Sequence, residues 1–169
     1  MMLRATPQFL LSLLLTGLCG QSGAEAPAAG LDLKASCSMS TGSGAGKIIY
    51  SDEFRLKLQQ QQLQEFNWES LRLRATLGHE CSIDLDDGVQ VETITDGWRL
   101  SLKEPAQARI KRGYDTDRGN RCSVRLRQNG EEWHIQPSCP VLCGSRINFS
   151  ELFINPKNGQ CRYEVNQQD

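Results

Sequence analysis

The chain has 169 residues, and its 19 Lys and Arg nearly balance its 20 Asp and Glu. A net charge of −1 excludes the strongly basic balance of a nucleic-acid binder, and the length holds one domain but not comfortably two. Seven cysteines point to an oxidising compartment.

The first predicted element is a secretory signal over residues 1–24. Arg4 precedes the apolar run Phe9-Leu10-Leu11-Ser12-Leu13-Leu14-Leu15, and small residues follow at Gly17, Gly20, Ser22, Gly23 and Ala24. The run is shorter than the roughly 20 apolar residues of a membrane-spanning helix. Cleavage after Ala24 is preferred to cleavage after Ala26, which would leave Pro27 first. Cys19 raises a rival, a lipoprotein signal, which would attach the chain to a membrane. Leu18 stands before it where a small residue is expected, so lipidation is the lesser alternative. Without Arg4 and Cys19 the net charge is −2 and six cysteines remain: Cys37, Cys81, Cys122, Cys139, Cys143 and Cys161. An even number in an exported chain implies up to three disulfides, with fifteen connectivities open.

Residues 25–46 are rich in Ala, Ser and Gly and read as a flexible leader tied down by Cys37. Residues 47–169 form the single β-rich domain. Alternation runs through it. Phe54, Leu56 and Leu58 alternate with polar residues, as do Leu71, Leu73, Ala75 and Leu77, then Cys81, Ile83 and Leu85. The same pattern returns at Trp98, Leu100 and Leu102, at Val124 and Leu126, and at Trp133 and Ile135. Period two with one apolar face predicts half-buried antiparallel strands. Between them lie Asp87-Gly88, Asp96-Gly97, Asn129-Gly130 and Asn158-Gly159, pairs that suit tight hairpins. Residues 59–66, QQQQLQEF, fit either a short helix or a glutamine-rich edge with a loop. The expected fold is all-β: an antiparallel meander of seven or eight strands closed into a small barrel or sandwich.

Cys81, Cys122 and Cys161 fall on the apolar faces of their strands. The preferred pairing is Cys37–Cys81, Cys122–Cys139 and Cys143–Cys161; the runner-up joins Cys122 to Cys161 and Cys139 to Cys143. Charge is segregated along the chain. Residues 80–96 hold six carboxylates and no Lys or Arg, whereas residues 103–127 hold eight basic residues. Two solvated surfaces explain this simply; a steered partner site is the sharper reading.

Cys139-Pro-Val-Leu-Cys143 is one residue longer than the usual redox motif and has no βαβ setting, so a structural clamp is favoured over thiol–disulfide chemistry. A loop pinned by such a clamp is preorganised for binding. Within residues 137–146 the candidate contacts are Pro140, Gly144, Ser145 and Arg146. His79 and His134 are too few and too far apart for zinc. Asp115-Thr116-Asp117 begins like a calcium loop but lacks its later ligands. No nucleophile–base set is evident, so no catalytic residue, metal or cofactor is expected.

In size, export and β content the chain resembles the small periplasmic inhibitors that Gram-negative bacteria raise against lysozymes. Cys143-Gly144-Ser145-Arg146-Ile147 lacks the Ser and Tyr of their Ser-Gly-x-x-Tyr loop, and no functional residue is carried over. The expected function is that of an exported, periplasmic or secreted, non-enzymatic envelope protein binding a protein partner, inhibitor- or immunity-like. A redox protein using Cys139 and Cys143, or a structural or assembly accessory of the envelope, are the alternatives.

Overall fold

The computed structural model describes residues 30–75, 77–102, 122–139 and 149–164. These form ten strands in two antiparallel sheets with sandwich-like packing, each a plain meander. The first sheet has the order β1 (Gly30–Thr41), β2 (Ile48–Gln59), β3 (Gln62–Arg74) and β4 (Leu77–Asp84). The second runs from β5 (Val89–Ile94) through β6 (Gly97–Leu102), β7 (Ser123–Asn129), β8 (Glu132–Pro137) and β9 (Leu152–Ile154) to β10 (Cys161–Tyr163). No helix among the described residues is long and apolar enough to cross a membrane.

Period two builds the core. Leu33, Phe54, Leu56, Leu58, Trp68 and Ile83 face inward from the first sheet. Leu100, Leu126, Ile135 and Leu152 meet them from the second. Fully burying each such side chain stabilises by roughly 1.5–3 kcal/mol. Residues 30–41, which composition assigns to a flexible leader, are the edge strand β1. Leu31, Leu33, Ala35 and Cys37 alternate inward with Asp32, Lys34 and Ser36 outward, and Ser36, Ser38 and Ser40 give the strand the composition of a linker.

Sequence expectations fail in β3 and at the start of β4. Leu71 and Leu73 lie half-buried on the outer face, and Leu77 is 66% exposed. The strand has one parity, and Phe66, Trp68 and Ser70 take the inward side. Two aromatic rings bury more apolar area than two leucines, so they set the register. Leu85 is also 43% exposed, because the strand ends before it in a 3-10 turn, Leu85–Asp87.

Residues 59–66 are neither helix nor loop. They are the β2–β3 hairpin, with Gln60 at φ 48° and Gln61 at φ 65°. Leu58 pairs with Leu63 and Lys57 with Glu65, which leaves Gln64 bulged. A turn and a bulge within five residues erase any period. Side chains other than Asn, Asp and Gly are strained at successive positive φ. Gln60→Asn together with Gln61→Gly is therefore expected to stabilise the domain by about 1 kcal/mol, read as a higher urea midpoint with an unchanged slope.

Cys122 is joined to Cys139, as the β7–β8 register requires. Cys37, however, is joined to Cys161, with Cα atoms 5.6 Å apart. The expected Cys37–Cys81 bridge is excluded by the sheet. Cys37, Asp52, Ser70 and Cys81 lie in one cross-strand row from edge to edge. Three strand spacings of about 4.8 Å put the two cysteines roughly 14 Å apart, twice what a disulfide spans. The expected Cys143–Cys161 bridge and the alternative Cys122–Cys161 and Cys139–Cys143 bridges fail because Cys161 and Cys139 are already taken. Cys81 is also disulfide-bonded, and its partner lies outside the described residues.

Candidate functional site

Pro140, Gly144, Ser145 and Arg146 lie outside the described residues; the frame that carries them is described. On the entry side, β8 ends at Pro137. Ser138 N–H donates to the Ser123 carbonyl at 2.8 Å, Ser123 N–H donates to Ser138 Oγ at 2.8 Å, and the Cys122–Cys139 bridge closes the pair. On the exit side Phe149 is 1% exposed, and its ring lies edge-on 4.8 Å from Trp68. Both ends of the 140–148 segment are thus held by the core. Cys139 is bonded to Cys122, so it does not form the Cys139–Cys143 pair that a redox site would use.

Beside this frame, the outer face of the second sheet carries polar side chains in cross-strand rows. Arg127, His134, Phe153 and Arg162 form one row across β7, β8, β9 and β10. His134 stacks on Phe153 with centroids 4.4 Å apart and planes 4° from parallel. The Arg162 guanidinium lies 3.8 Å from the Phe153 centroid, a cation–π contact. Squeezed between them, Phe153 is only 6% exposed although its strand neighbours Leu152 and Ile154 point into the core. Glu151, at the foot of the 140–148 segment, lies 2.7 Å from His134 Nε2 and accepts from Gln136 Nε2 at 3.1 Å.

The cations on this face are partly paired. Arg162 bonds Glu132 at 2.8 Å and Arg99 bonds Glu92 at 3.2 Å. Arg127 Nε sits 2.9 Å from Asp96 Oδ2 without the direction of a hydrogen bond. Half-buried Arg125, between Arg99 and Gln136 across the sheet, has no ion pair among the described residues. Exposed ion pairs contribute at most about 1 kcal/mol each.

The acidic stretch has a local explanation in part. Asp84 accepts from Asp86 N–H at 2.9 Å, and Asp87 accepts from Asp84 N–H at 3.1 Å. Both carboxylates are spent on the 3-10 turn as a reciprocal cap. The described residues contain no group of three His, Cys, Asp or Glu placed to hold a metal ion.

Phe153, Arg162 and Glu151 escaped the sequence reading. Strands β9 and β10 have three residues each, too few to show a period. Arg162 between Cys161 and Tyr163 was the one available signal, since flanking core residues force it outward.

The chain matches no family model, and no curated protein or solved structure matches it either.

Proposed function

We propose that this chain is an exported, non-enzymatic envelope protein, periplasmic or secreted, that binds a protein partner in the manner of an inhibitor or immunity protein. The observation that carries the reading is the double anchorage of residues 140–148, by the Cys122–Cys139 bridge on one side and by Phe149 against Trp68 on the other. Holding a segment at both ends removes much of the ordering entropy that binding would otherwise cost. The neighbouring row supplies Arg127 and Arg162, a residue type enriched at protein contacts.

The test uses the mature chain immobilised in low salt and exposed to envelope extract. It is expected to retain a partner that Arg146→Glu abolishes, that Arg162→Ala weakens several-fold, and that is released near 1 M salt, where the Debye length is about 3 Å. No retention at low salt, or equal retention by both variants, would overturn the proposal.

A further inference from the structure

The largest polar anomaly in the core is Asp52. It has no exposed surface, and it sits mid-row between the two cystines' half-residues Cys37 and Cys81. Trp68 Nε1–H donates to its Oδ1 at 2.8 Å, and Ser70, its cross-strand neighbour, also hydrogen-bonds the carboxyl. Tyr163 reaches it from the other sheet. The Tyr163 hydroxyl lies 2.8 Å from Asp52 Oδ2 and 3.2 Å from the Cys37 carbonyl oxygen.

Proton counting decides how this cluster is satisfied. The Tyr163 hydroxyl has one proton, and a backbone carbonyl can only accept. If Asp52 is neutral, Oδ2–H donates to Tyr163, Tyr163 donates to the Cys37 carbonyl, and Trp68 donates to Oδ1. Every proton then has one acceptor. If Asp52 is ionised, Tyr163 turns its proton to Oδ2, and the Cys37 carbonyl loses its link to β10. A buried negative charge then remains, with no cation bonded to it among the described residues.

We propose that Asp52, Tyr163 and the Cys37 carbonyl form a proton-operated latch between the two sheets, closed when Asp52 is protonated and loosened when it ionises. The Cys37–Cys161 bridge two residues from Tyr163 keeps β10 in place while the latch opens. Arg162 lies between the bridge and the latch, so the latch also governs how firmly Arg162 is held over Phe153. That last consequence rests on the binding reading above; the latch itself does not.

The surroundings agree. Burial pushes the Asp52 pKa up from 3.8 to about 6, against the hydrogen bonds of Tyr163, Trp68 and Ser70, which pull it down. Burial and the adjacent carboxyl push the Tyr163 hydroxyl up, so it keeps its proton. The other titratable or charged groups nearby lie in the next row: Tyr50 of β2, Arg72 of β3, 5.7 Å from the Tyr50 ring, and His79 of β4. Cys37 and Cys81 are oxidised and do not titrate.

The sign follows from linkage. The folded chain holds the Asp52 proton more tightly than the unfolded one, so its stabilisation is complete below pH 3.8 and is lost as pH rises through about 6. Urea unfolding of the full chain and of Asp52→Asn at pH 4 to 7 tests this. Asn keeps an acceptor for Trp68 and a donor for Tyr163 but cannot ionise. The ratio of the two unfolding constants is expected to change by about 50-fold across that range. Independently, the Asp52 carboxyl should titrate by NMR near pH 6. A midpoint near 4, or parallel pH profiles for the two proteins, overturns the latch. If Asp52→Asn does not fold, the NMR midpoint in the native chain decides alone. Either result stands whether or not a partner is ever captured.

Discussion

Removing the Cys37–Cys161 bridge, as Cys37→Ala with Cys161→Ala, is expected to lower stability by roughly 5 kcal/mol. The bridge closes a sequence separation of 124 residues. In the loop-closure view, that constrains the unfolded chain far more than the separation of 17 closed by Cys122–Cys139, whose removal should cost roughly 3 kcal/mol. A domain of this size has only about 5–15 kcal/mol in total, so the first variant should sit near the edge of folding and the second should not. Urea unfolding of the two double variants under identical conditions checks the order. If loss of Cys122–Cys139 proves as damaging as loss of Cys37–Cys161, the chain-entropy account of the long bridge fails.

The second large effect is expected at Gly97. It opens β6 directly opposite Arg127 of β7, at φ +152°. A Cβ there would lie 2.0 Å from the Leu126 carbonyl oxygen and 3.0 Å from its carbon. Those are backbone atoms of a paired strand, so no rotamer change relieves the clash, and β6 must move off β7. Gly97→Ala should cost at least about 3 kcal/mol. It should also disturb the stacking of Trp98 on Trp133, whose centroids are 5.3 Å apart, visible in near-UV circular dichroism. Gly130→Ala is the control. Gly130 has φ +63° but nothing within 4 Å of its would-be Cβ, so only about 1–2 kcal/mol of left-handed backbone strain applies. Equal effects at the two positions would sink the close-approach argument.

The sequence was readable where one strand face is apolar and the other charged. Phe54 to Leu58, Trp98 to Leu102 and Trp133 with Ile135 all carry their inward residues where alternation predicts them. Reading failed for three physical reasons. Small serines in β1 make a buried alternation look like linker composition. In β3 two leucine positions compete with Phe66 and Trp68 for one inward face, and only packing area settles the contest. The hairpin at 60–61 uses glutamines where glycine or asparagine would have announced it. For the candidate site, the Cys139 clamp followed from register, because Cys122 and Cys139 extend the β7–β8 pairing. The Phe153–Arg162 stack did not, since it is built from strands three residues long. Nor did the Cys37–Cys161 pairing, because connectivity depends on which edges of two sheets meet, and no local pattern encodes that.

The joining of β1 to β10 has a mechanical consequence. A load applied to the chain on either side of the bridge passes from residue 37 to residue 161 through two sulfur atoms and bypasses the strands between them. Such a load can strip only the first half of β1 and the last residues of β10, while the two sheets feel no tension. An accidental cut between residues 37 and 161 likewise leaves both fragments attached to one another. The fold therefore behaves under pulling or nicking as a ring closed at residues 37 and 161.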